Sequence, residues 1–302
     1  MKFKIPKTFM GKPVKGAIKR ALDAKPLEGG DGNENPGTQN YDFGGPASDS
    51  FILSYDGTHG TFAQELIAKS NETFKGTKAE IPGGTQGEVQ GNIMKRLALV
   101  TTLYTNSQLA SSGLWPINPT QSEALLRDGK LVNPENNWED LALILYDRSQ
   151  NGENPHEAQV LYNSLKQHKQ ALHLTQGDLE KKLVVVNAGL QIDADNNYGV
   201  SPVVLPKLTK VYTHEVLDRL GEEPVFKGYG LSGGLPLLNQ LDEEGDRTLF
   251  MPDETEDIGL HVLYRSWNLS LYAGVEDLAG SYEDGRVYFA PQARAAKSGG
   301  GK

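Results

Sequence analysis

Glycine and proline recur along the whole chain and limit the length of its secondary structure elements. The sequence contains 34 glycines and 16 prolines among 302 residues, and both residue types end helices and strands or form the turns between them. Long helical bundles are therefore disfavoured. A chain of this length buries an ample core without disulfides or metals, and we expect an α+β or β-rich protein built from short elements.

Composition also excludes several classes of function. Acidic residues outnumber basic ones by 39 to 30, which gives a net charge of −9. Such a surface repels phosphate backbones, so we expect no nucleic-acid partner. The sequence contains no cysteine, which excludes disulfides, thiolate nucleophiles and cysteine-ligated metal sites. No stretch approaches the roughly 18 apolar residues that span a bilayer, and the basic start lacks the apolar run of a secretory signal. We therefore expect a soluble chain without a membrane span, and the sequence predicts no destination.

The first 49 residues differ in composition from the rest of the chain. Residues 1–20 carry seven basic side chains and no acidic one, and apolar residues recur at helical spacing between positions 14 and 22. We interpret this region as an arm that docks on the domain or on a partner subunit, with a helix on a membrane surface as the alternative. Residues 27–50 have the composition of a linker. We expect a basic N-terminal arm and linker (1–49), a single domain (50–291) and a flexible tail (292–302).

Hydrophobic periodicity predicts a few helices and many short strands within this domain. The predicted helices cover residues 62–69, 93–109, 120–129 and a segment that begins at Pro155 after an N-cap at Asn154. Thr120 and Glu123 have the order of a capping box. The predicted strands cover residues 51–55, 183–186, 203–205, 210–213, 247–251, 259–265 and 286–289. Residues 141–146 are continuously apolar, so periodicity does not distinguish a buried strand from the end of a helix.

Three polar or glycine-rich segments resemble ligand sites without matching them. The loop 82–91 lacks the Gly-Lys-Ser/Thr sequence of a P-loop. Residues 193–197 begin like a calcium-binding loop, but Tyr198 and Val204 occupy the positions of the required glycine and glutamate. We interpret this segment as an Asx-rich turn and the acidic run 242–257 as a solvated loop. We expect no cofactor and no bound metal.

Ser232 is the best candidate for a catalytic residue. Residues 230–234 match Gly-x-Ser-x-Gly, and Asp257 and His261 follow in the order found in hydrolases. The motif requires a strand before the serine and a helix after it, yet Pro236 follows closely, and 29 residues from Ser232 to His261 are too few for the intervening elements. We interpret the motif as a Gly/Ser turn and expect no enzyme, with a serine hydrolase as the alternative.

The C-terminal segment 262–285 is the most informative part of the chain. From residue 268 it alternates, so that Leu269, Leu271 and Ala273 face inward and the residues between them face outward. Further apolar anchors follow at Leu278, Ala279, Val287 and Phe289. The outward positions are rich in Tyr, Ser, Gly, Asn and Trp, the composition of antibody paratopes. An ordinary strand and loop with a few exposed aromatic residues is the alternative.

Several short motifs in and before this segment resemble the variable proteins of diversity-generating retroelements, especially the archaeal branch. Within the segment the motifs are Leu263-Tyr-Arg265, Leu269-x-Leu271-x-Ala273, Leu278-Ala279-x-Ser281 and Gly285-Arg286-Val287. Upstream they are Trp138–Tyr146, Val186–Gly189, Tyr198-Gly199 and Arg247–Pro252. The resemblance covers residues 115–291 and implies a C-type-lectin-like domain of short antiparallel strands and a few helices.

The resemblance also implies a function. In this family, adenine-directed retrotransfer rewrites selected codons near the end of the gene while the fold persists, and the product is a non-enzymatic receptor for a protein or cell-surface ligand. The destination stays open, and display on a cell or virion surface is one that this function allows. A structural or virion attachment protein is a further alternative. Calcium-dependent sugar binding and cysteine-dependent oxidation, known among C-type-lectin relatives, do not transfer, because Leu269 follows Trp267-Asn268 and cysteine is absent.

The expected ligand-binding residues are the outward positions of the segment. Rewriting of Asn codons yields Asn, Ser, Tyr, Gly, Asp or Val, and most of these positions hold one of those residues; Trp267 requires a different adenine-bearing codon or is fixed. The expected ligand-binding residues are Tyr264, Ser266, Trp267, Asn268, Ser270, Tyr272, Gly274, Val275, Asp277, Gly280, Tyr282 and Asp284.

Overall fold

The computed structural model combines helices with antiparallel sheets, which confirms the α+β class. It describes residues 47–146, 152–213, 259–267, 271–272, 277–280 and 285–292. For some further strand residues it describes the backbone alone: 8–9, 12–13, 41–42, 222–225, 247–250, 273–274 and 293–294. The described helices are α1 (Gly60–Phe74), α2 (Ile93–Thr105), α3 (Ser107–Ala110), α4 (Pro119–Arg127) and α5 (Pro155–Gln167). In this part of the chain no helix combines the length and the apolar character needed to cross a membrane.

The strands are short, as the glycine and proline content predicts. They are β1 (Thr8–Phe9), β2 (Lys12–Pro13), β3 (Tyr41–Asp42), β4 (Phe51–Ile52), β5 (Leu114–Pro116), β6 (Glu139–Leu145), β7 (Leu183–Val186), β8 (Gly189–Ile192), β9 (Val200–Val203), β10 (Lys210–Thr213), β11 (Glu222–Val225), β12 (Arg247–Phe250), β13 (Leu260–Arg265), β14 (Leu271–Gly274), β15 (Tyr288–Pro291) and β16 (Ala293–Arg294).

One sheet of seven strands organises the molecule, in the order β10-β7-β6-β13-β14-β12-β11. Its neighbours pair antiparallel except β12 and β14, which run parallel. The apolar run 141–146, which the sequence left open, forms most of β6 because β7 and β13 pair with it on its two sides. The predicted strand 183–186 is β7, and all four of its residues are buried, as expected for a strand covered on both faces.

Helix α2 is the centre of the packing. Every residue from Ile93 to Leu103 on it is buried, because it lies between two cores. One core joins it to α5 and the large sheet, with Leu97, Leu161 and Val262 among its members. The other joins it to α1 and a three-stranded sheet of order β4-β15-β5.

The predicted helix boundaries need two corrections. The capping box of α4 is formed by Asn118 and Gln121, whose side chains accept each other's backbone N–H at 2.9 and 3.1 Å, and not by Thr120 and Glu123. Asn118 precedes the proline at the first helical position, where a missing N–H is harmless. The helix predicted over 93–109 is broken at Asn106, whose extended backbone ends α2 and whose side chain caps α3. The predicted helix over 14–22 lies outside the described residues.

Candidate ligand-binding surface

The described positions of the expected site lie on two paired strands and on the turn that follows them. Strand β13 pairs with β14 so that Tyr264 lies opposite Tyr272. On its other side β13 pairs with β6, and the register shifts at Leu263/Tyr264 because Leu141 is the extra residue of a bulge. Beyond this shift Tyr264 lies opposite Asp140. Bulges bend the strand that carries the extra residue and redirect its side chains, so this one acts on β6 beside the end of β13.

Three aromatic rings stack across these strands. The ring of Tyr264 lies 4.1 Å from that of Trp138 and 4.9 Å from that of Tyr272, with interplanar angles of 17° and 6°. Trp138 and Tyr272 are half-buried, whereas Tyr264 is only 5% exposed. The expectation that Tyr264 faces outward is therefore wrong, because it is the middle ring of the stack. Ser266, also expected outward, is buried.

Trp267 is the most exposed of the large hydrophobic residues in the described part of the chain, at 58%. It lies two residues after Arg265, which is fully buried. The Arg265 guanidinium donates to the carbonyl of Pro134 at 2.9 Å and to Glu139 at 3.4 Å, and it lies 5.2 Å from the ring centroid of Tyr288. These contacts hold the Arg265 side chain in place two residues before an exposed indole.

The anchor of Arg265 belongs to a buried charge cluster. Glu139 is fully buried and lies between Arg265, at 3.4 Å, and Arg96 on α2, at 3.8 Å. Burial lowers the pKa of the Arg96 guanidinium, an effect that Glu139 opposes. Sequence reasoning missed this cluster, although an arginine within the apolar run of α2 and a glutamate just before the run 141–146 are its signals.

Residues 277–280, in the second half of the segment 262–285, form a turn. The Asp277 carboxylate oxygen Oδ1 accepts the Ala279 N–H at 3.0 Å, and the Gly280 N–H donates to the Asp277 carbonyl at 2.7 Å. Asn92, the N-cap of α2, donates from its side chain to the Ala279 carbonyl at 2.9 Å. Leu278 is fully buried beneath the turn.

Tyr198, which sequence reasoning did not place in the site, touches this turn from the β8–β9 connection. Its hydroxyl lies 3.1 Å from Asp277 Oδ1 and 2.9 Å from Asn154 Oδ1, so its single proton is shared between two acceptors. Burial, followed by the Asp277 carboxylate, raises the pKa of the Tyr198 hydroxyl, which therefore stays protonated at neutral pH. Asn154 also donates to the Leu260 carbonyl at 2.9 Å, so it fastens the start of α5 to β13.

The inward residues divide between confirmed positions and positions outside the described side chains. Leu271, Leu278, Val287 and Phe289 are buried as predicted, and Ala279 is half-buried. Gly274 lies in β14 opposite Val262. Asn268, Ser270, Val275, Tyr282 and Asp284 lie outside the described residues, as do Leu269 and the side chain of Ala273.

The segment 193–197 is an Asx-rich turn, as predicted. Asp193 Oδ1 accepts the Asp195 N–H at 3.1 Å, and Asn196 Oδ1 accepts the Tyr198 N–H at 2.9 Å. The other Asp193 oxygen lies 2.7 Å from His156 Nε2. This hydrogen bond is the main cause that raises the pKa of His156. Among the described residues no group of three or more His, Cys, Asp and Glu side chains is placed to hold a metal ion.

The residues of the hydrolase alternative are only partly described. Ser232 and Asp257 lie outside the described residues. His261 is fully buried in β13, with its ring edge-on to Tyr146 at 4.9 Å. A general base must reach the proton that it abstracts from substrate or nucleophile, and the burial of His261 gives this alternative no support.

No protein-family model matches the chain, and no curated protein or solved structure is significantly similar to it.

Proposed function

We propose that this chain is a non-enzymatic ligand-binding protein with a C-type-lectin-like domain, whose C-terminal surface is diversified by a retroelement. The observation that carries the proposal is the exposed indole of Trp267, which follows the buried residues Arg265 and Ser266. The short antiparallel strands and the few helices support the lectin-like part of the proposal.

An exposed tryptophan that follows a firmly packed strand is well suited to binding a ligand. Large aromatic side chains that are already held in place lose little conformational entropy on binding, and Trp and Tyr dominate interface affinity. Trp267 stands at the end of β13, which is paired on both sides. Tyr272 on the adjacent strand packs against the main core and stacks on Tyr264, and the exposed part of its half-buried ring is the second described aromatic surface that a ligand would meet.

The segment 262–285 contains both buried residues, which we call its frame, and outward side chains, and this division supports diversification. A segment whose residues are rewritten must keep its backbone while its outward side chains change. Leu271, Leu278 and Val287 are buried within the expected variable region or at its border, and they recur in the motifs on which the family resemblance depends. A protein or cell-surface molecule is the expected ligand, met by a chain displayed on a cell or virion surface.

The experiment that tests this function is sequencing of the gene and its flanking DNA across many cells of the source population. We expect a nearby near-copy of the codons for residues 264–284 that differs from the gene mainly where the copy has adenine, together with variation among cells at those codons. Absence of both the copy and the variation would remove the retroelement from the proposal and leave an undiversified binding protein.

A further inference from the structure

The turn over residues 277–280 limits which positions of the variable segment can change. A Cβ atom at Gly280 would lie 2.8 Å from the Asp277 carbonyl oxygen and 3.5 Å from the Asp277 Cβ. The first distance is shorter than Cβ contacts in real proteins, and its partner is a backbone atom of the same turn, which cannot rotate away. Of the residues that rewritten Asn codons yield, Asn, Ser, Tyr, Asp and Val all carry this Cβ, and only Gly lacks it.

Asp277 is exposed, yet one oxygen of its carboxylate already has two partners. Oδ1 accepts the Ala279 N–H and lies within hydrogen-bond distance of the Tyr198 hydroxyl. The Asp277 carbonyl accepts the Gly280 N–H that closes the turn. A side-chain oxygen that accepts the N–H of the residue two positions later is typical of an Asx turn, in which Asp or Asn replaces a backbone acceptor.

The turn is also held from outside the segment. The side chain of Asn92, the N-cap of α2, donates to the Ala279 carbonyl of the turn, and Leu278 anchors the turn in the core. Tyr198 connects Asp277 to Asn154 at the start of α5. Removal of the Tyr198 hydroxyl would take away the donor that Asp277 and Asn154 share.

From these contacts we infer that residues 277–280 are a fixed turn within the diversified segment, in which Asp277 and Gly280 set the backbone and do not select the ligand, with Tyr198 as a positioning residue. This inference rests on the proposed function and corrects the expectation that Asp277 and Gly280 bind the ligand. Specificity then depends, among the described residues, on Trp267 and Tyr272.

Saturation libraries at single positions test this inference without a ligand. The full chain would be displayed on yeast with position 267, 277 or 280 randomised, and sorted for resistance to protease. We expect substitutions at Trp267 to survive within about twofold of the parent and non-glycine residues at position 280 to be depleted about tenfold, where tenfold corresponds to about 1.4 kcal/mol. At position 277, Asn should survive because it keeps the acceptor oxygen, and Ala should be depleted.

Matched variants separate a local clash from general damage. Gly83→Ala is the control for Gly280→Ala, because a Cβ at Gly83 meets no atom within 4 Å. Tyr198→Phe is compared with Tyr212→Phe, which removes the hydroxyl of another half-buried tyrosine. Amide hydrogen exchange gives the positioning readout: Tyr198→Phe should speed exchange at Ala279 and Gly280 about tenfold and leave the central amides of α2 unchanged.

Two results would overturn the inference. If substitutions are tolerated equally at positions 267, 277 and 280 in the libraries, the turn can be rewritten. If Tyr198→Phe accelerates amide exchange uniformly across the protein, Tyr198 acts on stability alone. Neither result depends on the retroelement, so failure of the fixed turn and failure of the proposed function are distinguishable: the first appears in the libraries, the second in the gene and its flanking DNA.

Discussion

Alanine substitutions at Leu271 and Trp267 test whether the buried residues of the segment 262–285 stabilise the fold while its exposed residues do not. Leu271 on β14 is fully buried and packs in a cluster with Leu263 of β13 and Ile144 of β6. Leu271→Ala removes three carbon atoms from this cluster, which costs about 2.4 kcal/mol at about 0.8 kcal/mol for each buried methylene. A residual cavity of about 50 Å³ would add about 1.2 kcal/mol.

The expected loss for Leu271→Ala is therefore about 3 to 4 kcal/mol in the free energy of unfolding. Trp267→Ala, although it removes a larger side chain from the adjoining strand end, should change this free energy by less than about 0.5 kcal/mol, because the indole is 58% exposed. Urea unfolding followed by circular dichroism measures both values, and equal slopes with denaturant would show that the unfolded states are comparable.

Either member of the pair can refute the reasoning. A loss below about 1 kcal/mol for Leu271→Ala would mean that the leucine contributes little to the core. A loss above about 2 kcal/mol for Trp267→Ala would mean that the indole is part of the fold, and the main support for a ligand-binding role would be gone.

Three further predictions concern the residues around this surface. Glu139→Ala should destabilise the protein by about 3 to 5 kcal/mol, because it leaves two buried guanidinium groups without their shared carboxylate; chemical denaturation measures this, and a loss below about 1 kcal/mol would contradict it. Tyr264→Ala should cost about 3 kcal/mol or more by thermal unfolding, since it removes the middle ring of the stack, and an unchanged melting temperature would restore Tyr264 to the surface. His156 has a raised pKa in the folded state, so its bond to Asp193 stabilises below about pH 6.5 and is lost as pH rises through the folded value; for this 42% exposed side chain the advantage over His156→Asn should stay below about 1 kcal/mol, and a larger advantage at pH 9 than at pH 5.5 would have the wrong sign.

Local sequence patterns predicted the elements whose packing is simple. The run Leu183–Val186 is a strand in the structure, and the asparagine–proline pair before α5 marks the start of that helix. Asn106 was missed because a continuous apolar stripe gives no sign that one extended residue divides it. The capping box of α4 was predicted two residues too late because Asn118 with Gln121 and Thr120 with Glu123 both have a suitable spacing. Pro119 at the first helical position favours the earlier pair.

The candidate site was harder to predict because its burial depends on distant residues. Alternation assigns Tyr264 to one face of β13 but does not say that Trp138, far upstream in the sequence, covers that face. The bulge at Leu141 likewise arises from the pairing of β6 with β13 and has no local signature. Gly280 fits the pattern of a rewritten codon, and only the position of the Asp277 carbonyl excludes a side chain there.

The pairing of β4 with β15 has a consequence for the order in which the cores close during synthesis. Phe289 pairs with Phe51, and Ala290 on the same strand pairs with Trp115. Chains are made from the N-terminus, so the core that α2 shares with α1 lacks its last strand until the ribosome has passed the codons for residues 262–285. A chain in which this segment prevents the pairing of β15 would leave that core open to proteases.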